Sequence, residues 1–124
     1  MSIELNHTIV AATDNLETAR FLTELLGLEA PVDVGGGHFQ QVRLANAVVL
    51  DVMTVPGPVH PQHYAFLVSE QEFDEIFARI TARGLGFYAQ PDGSGVGEIN
   101  HRFGGRGVYF RSPDGHALEA LTAA

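Results

Sequence analysis

The sequence predicts an α+β protein built from two copies of one β-α-β-β-β module. Three observations predict it: an alternating strand-like stretch opens each half, a capped amphipathic helix follows each, and each half closes on short strand-like pieces set between turn residues. Module one is expected over residues 3–54, a stiff Pro-rich linker over 55–61, and module two over 62–122.

In the first half, Ile3 to Ala12 alternates as a strand. Asp14 followed three residues on by Glu17 reads as a helix cap, and Phe21, Leu22, Leu25 and Leu26 give that helix one apolar face ending near Gly27. Strands are then expected at Pro31 to Val34, His38 to Ala45 and Ala47 to Thr54, with Asn46 in a tight turn. The pattern restarts at His63 to Val68. Ser69 and Glu72 form a capping box ahead of the stripe Phe73, Ile76, Phe77 and Ile80, and that helix stops near Gly84. A short strand at Phe87 to Ala89, a Gly-rich loop, and a hairpin of Gly107 to Arg111 and His116 to Thr122 turning at Ser112-Pro113-Asp114-Gly115 complete the second half.

Composition narrows the function. With 124 residues and 45% apolar content, the chain can bury a core. It contains no cysteine, which rules out disulfides and thiolate sites, and all seven basic residues are Arg, which rules out lysine chemistry. A net charge of -8 argues against nucleic acid as a partner, and no apolar run approaches a membrane span. No leader pattern opens the chain, so a cytoplasmic protein is expected.

His7 and His63 head the first strand of their halves, and Glu119 lies on the last strand of the second. Strand parity puts His7 beside Leu5 and Ile9, His63 beside Ala65 and Leu67, and Glu119 beside Ala117 and Leu121. Each is an isolated polar group on an otherwise apolar face. Ligation of one cation by all three would resolve the cost of burying them singly. Two imidazoles and a carboxylate suit Fe2+, Mn2+, Ni2+ or Zn2+ and leave coordination positions open for substrate oxygens. Taking Ala47 and His116 as matching strand starts makes Leu50 the counterpart of Glu119 and turns Asp51 to the other face. The long Gln90 to Arg106 segment, read as a flexible lid, holds Glu98, His101, Arg102 and Arg106 as acid-base candidates, with His101 and Arg106 preferred. Its Gly93 to Gly97 run lacks the Gly-Lys-Ser/Thr and following helix of a phosphate loop. His116, one residue off the parity of Glu119, reads as structural, and His38 and His60 as exposed polar residues.

The runs L-N-H-T-I-V, H-Y-A-F-L-V and G-V-Y-F-R-S-P-D-G-H-A-L-E-A-L resemble the vicinal oxygen chelate superfamily, which contains glyoxalase I, extradiol dioxygenases, fosfomycin thiol transferases and bleomycin-resistance proteins. The resemblance covers essentially the whole chain. It implies paired modules whose mixed sheets form a cupped site with helices outside, one divalent ion held by His7, His63 and Glu119, and a homodimer. It also places Tyr109 near the site as a donor to a developing oxyanion. Leu50, standing where glyoxalase I-like members carry a fourth ligand, points to a three-ligand site. Compared with the thiol transferases, the chain has Ile9 where they carry Thr, and it has neither Trp nor Lys.

The expected function is that of a small metal-dependent enzyme chelating adjacent oxygens of a small molecule, with glyoxalase-like lyase or isomerase chemistry or dioxygenase-like chemistry. The alternative is an antibiotic-resistance type of protein, either a thiol transferase or a binder that sequesters a drug without turnover.

Overall fold

The computed structural model describes residues 2–124 and divides into two compact units at His60 and Pro61. Each unit is a mixed sheet with one helix, as the repeated β-α-β-β-β pattern predicts.

The first unit contains β1 (His7–Ala12), α1 (Asn15–Leu26), β2 (Val32–Val34), β3 (Phe39–Arg43) and β4 (Val49–Thr54), in sheet order β1-β4-β3-β2. Strand β1 runs parallel to β4, and the other pairings are antiparallel. Asp14 caps α1 by accepting from the backbone N–H groups of Leu16 and Glu17, and Gly27 ends it in the left-handed conformation at φ 70°. Alternation sends Val10, Ala12, Val42, Leu50 and Val52 into the core with Ala19, Leu22 and Leu25 of α1. The first strand is shorter than its apolar pattern. Ile3 and Leu5 stay exposed outside the ladder.

The second unit contains β5 (His63–Leu67), α2 (Glu70–Ala82), a single 3-10 turn (Arg102–Gly104), β6 (Gly107–Arg111) and β7 (Ala117–Leu121), in sheet order β5-β7-β6. The Ser69 and Glu72 capping box is formed in both directions. Phe73, Ile76 and Ile80 are buried, as are Val108 and Phe110 of β6 and Leu118 and Ala120 of β7, with α2 lying against β7. The opposite face of this sheet therefore carries His63, Ala65, Tyr109, Ala117 and Glu119.

The strand expected at Phe87 to Ala89 is reduced to bridges from Tyr88 to Tyr109 and to Val96. The chain folds back at once, Ala89 N–H donating to the Gly95 carbonyl at 3.1 Å. The segment read as a flexible lid is pinned down instead. Asn100 pairs with Gly107, and its side chain donates to the Ala89 carbonyl at 2.9 Å. Gly95 makes the fold-back possible: at φ +71°, a Cβ there would meet Ala89 Cβ at 2.8 Å. Gly95→Ala is expected to cost about 1–3 kcal/mol, read by denaturant unfolding, and an unchanged midpoint would contradict this.

One register expectation is corrected. Observed pairing sets His7 opposite Val49 and Ile9 opposite Asp51, just as His63 stands opposite Ala117 and Ala65 opposite Glu119. The counterpart of Glu119 is therefore Asp51, and Leu50 turns into the core at 4% exposure. The physical reason is local. Ala47 adopts φ 66° inside the turn closed by Leu44 N–H to Val48 O, so β4 starts later than its sequence pattern indicates.

Candidate active site

Three side chains on the face of the second sheet away from α2 meet a fourth from the loop before β6. His63 Nε2 lies 2.9 Å from Glu119 Oε1. Tyr109, directly across from Glu119 on β6, hydrogen-bonds the same carboxylate. Arg102 donates from Nη1 to the Tyr109 hydroxyl at 3.1 Å and from its second terminal nitrogen to Gln90 Oε1. The Arg102 guanidinium also sits 5.8 Å from the Tyr109 ring centroid.

Glu119 is only 7% exposed, so it depends on these donors. His63 is nearly half exposed and reachable from solvent. Burial pushes the Tyr109 phenol above its usual range, and Glu119 adds to the rise while Arg102 opposes it. Tyr109 therefore keeps its proton at neutral pH and is a hydrogen-bond donor there.

The first unit repeats this pattern with different chemistry. Gln41 stands opposite Asp51 as Tyr109 stands opposite Glu119, and Gln41 Nε2 donates to Asp51 Oδ1 at 3.0 Å. His7 is exposed, with Nδ1 2.7 Å from Asn6 Oδ1. An amide oxygen can only accept, so Nδ1 is the donor in this contact, which does not involve Nε2. Among the described residues, no three His, Asp or Glu side chains are gathered around one point in the single chain.

The other expected participants lie as follows. His101 is exposed and immediately precedes the 3-10 turn, while its neighbour Arg102 is the residue that reaches Tyr109. Arg106 bonds Glu70 at 3.0 Å and Asp74 at 2.9 Å, and it lies 4.3 Å over the Phe73 ring, fastening the end of the loop to α2. His116 is fully buried, accepts the Gln62 N–H at Nδ1 and meets Tyr64 edge-on, in keeping with a structural residue. Arg102, a candidate that the sequence ranks behind His101 and Arg106, is the loop residue that reaches Tyr109, and Asp51 is the first unit's counterpart of Glu119. Only the true start of β4 and the fold-back of the loop reveal them.

A family profile described as Glyoxalase/Bleomycin resistance protein/Dioxygenase superfamily matches residues 4–120. The chain belongs to that superfamily. Among curated proteins it is 30% identical to the glutathione transferase FosA of Serratia marcescens, over 93% of this chain and 77% of that one. Among solved structures it is similar to the oxidase ChaP-H1, at 56% identity, 99% and 98% coverage and a TM-score of 0.96. It is also similar to the oxidase ChaP-H2, at 52% identity, 100% and 96% coverage and a TM-score of 0.95. A glyoxalase/dioxygenase from Nostoc punctiforme, 22% identical with a TM-score of 0.75 over 98% of this chain and 91% of that one, shares the fold. No helix among the described residues is long and apolar enough to cross a membrane.

Proposed function

We propose that this protein is a metal-dependent enzyme that binds a small molecule through two adjacent oxygens and oxidises it with dioxygen. The observation that carries this reading is the His63 and Glu119 pair beside a protonated Tyr109, in a chain 56% identical over nearly its whole length to a structure named as an oxidase. His7 is the third proposed ligand, through Nε2, supplied by the first unit of the same chain or of a second copy in a homodimer. The donor set fits: two imidazole nitrogens and a carboxylate with positions left over suit a divalent ion that also takes substrate. Of Fe2+, Mn2+, Ni2+ and Zn2+, the oxidase likeness favours iron or manganese.

Once bound, the ion would polarise the chelated oxygens and mediate electron transfer to dioxygen. The chain's own residues do the rest. Asn6, accepting from His7 Nδ1, would leave Nε2 to meet the ion, as outer hydrogen bonds do at metal sites generally. Tyr109 donates its proton or a hydrogen bond to substrate oxygen that gains negative charge, and Arg102 holds the Tyr109 hydroxyl in place. Asp51, at the position matching Glu119, offers a second carboxylate with Gln41 fixing its orientation.

Oxygen uptake tests this reading. Protein loaded anaerobically with each of the four ions is mixed with catechols, α-hydroxy ketones and hydroxy acids, and in parallel with glutathione and an epoxide. Uptake with iron or manganese is expected for at least one chelator, and Tyr109→Phe should lower it about 10²–10⁴-fold. Glutathione consumption without oxygen uptake would replace this reading with a transferase.

A further inference from the structure

Arg102 is the cation of this site, and both of its side-chain hydrogen bonds end on neutral oxygens. Nη1 donates to the Tyr109 hydroxyl at 3.1 Å, and the second terminal nitrogen donates to Gln90 Oε1. Arg106, four residues further along the same loop, shows the contrast, because it bonds the carboxylates of Glu70 and Asp74. The chain carries 15 acidic side chains against seven Arg, so carboxylates are plentiful, yet the guanidinium beside Tyr109 is set on neutral acceptors.

The fork is fixed in place by its own loop. The Arg102 backbone N–H donates to Asn100 Oδ1 at 3.2 Å, Asn100 donates from Nδ2 to the Ala89 carbonyl at 2.9 Å, and Gln90 sits in a turn closed by Gly93 N–H to Gln90 O at 3.1 Å. Gly107 leaves room for this, since a Cβ there would meet Asn100 Oδ1 at 2.8 Å. A guanidinium held before a ligand arrives loses little freedom on binding it. It carries five N–H donors, so some remain after Tyr109 and Gln90, and Arg102 is only partly buried. Tyr109 bridges Arg102 to Glu119, so Nη1 lies within two hydrogen-bond lengths, about 6 Å, of the Glu119 carboxylate. At that range it meets the chelating group of a substrate, not a remote end.

Charge balance points the same way. Two neutral imidazoles, one carboxylate and a divalent ion leave one positive charge, and Arg102 adds a second. A neutral chelator leaves both uncompensated in a partly buried site, whereas an ionised one offsets them. We propose that Arg102 makes this site selective for a chelator whose oxygen pair includes a carboxylate, an α-hydroxy acid, with one carboxylate oxygen for the ion and the other for the guanidinium. The proposal rests on the chelation reading above and names the substrate class within it. Hydroxy ketones and uncharged diols are disfavoured.

Mandelate and its neutral isostere mandelamide isolate the charge, since both offer a hydroxyl beside a carbonyl oxygen on the same skeleton. Calorimetric titration into zinc-loaded protein gives both affinities, with zinc-free protein as the control. Any divalent ion favours the anion, so the quantity that tests Arg102 is the change in preference on substitution. The wild-type preference for mandelate is expected to fall at least about tenfold in Arg102→Gln, with zinc content unchanged, and Arg102→Lys should recover part of it. Tyr109→Phe keeps the guanidinium and should keep the preference to within about threefold, which separates charge recognition from the support that Arg102 gives Tyr109. A preference that survives in Arg102→Gln, or that falls equally in Tyr109→Phe, would overturn the assignment while leaving chelation standing. If zinc adds nothing to the binding of either ligand, chelation fails and the assignment fails with it.

Discussion

His63→Ala is expected to reduce metal uptake from about one ion per chain to background while the protein stays folded. The imidazole is nearly half exposed, and its contact with Glu119 is one hydrogen bond, of the kind that contributes about 0.5–1.5 kcal/mol. Unfolding midpoints of variant and wild type should therefore lie within a few degrees of one another. Glu119 keeps its hydrogen bond from Tyr109 in the variant, so its carboxylate is not stranded. Metal analysis and a thermal scan on the same preparation check both halves of the expectation. Wild-type metal affinity in the folded variant would remove His63 from the ligand set.

The largest stability effect is expected at Phe73. The ring is 1% exposed on α2, stacks on Phe77 at a centroid distance of 6.2 Å and supports the Arg106 guanidinium on its other contacts. Phe73→Ala removes that buried volume and the platform that ties the loop end to the helix. A loss of about 3–5 kcal/mol is expected, read by urea unfolding. Because α2 backs the sheet that carries Glu119 and Tyr109, metal uptake should be lost in step with folding. A loss below about 1 kcal/mol would show that the helix does not anchor this unit.

Much of this architecture was legible in the sequence because the signals were local. Both helix starts follow from side chains that cap their own backbones, Asp14 and Ser69, and Gly107 to Arg111 follows from a hairpin turn with unambiguous chemistry. The matching positions of His7 and His63 follow from the repeat itself. What could not be read was anything decided by a single residue of register. Ala47 has no intrinsic preference for positive φ, so nothing in its identity marks it as part of the turn, and a register taken from the sequence alone turns Asp51 to the wrong face. The glycines of Gln90 to Arg106 predict a mobile segment. Asn100 and the Ala89 and Gly95 contact order it through tertiary hydrogen bonds, and that order brings Arg102 to Tyr109.

The most direct test of the account is metal stoichiometry in tag-free protein, stripped with chelator, reloaded with iron or manganese under anaerobic conditions and desalted. The account predicts about one ion per chain in the wild type and background levels in His7→Ala, His63→Ala and Glu119→Gln, all three remaining folded. An unloaded wild type, or full loading that persists through all three substitutions, would contradict it.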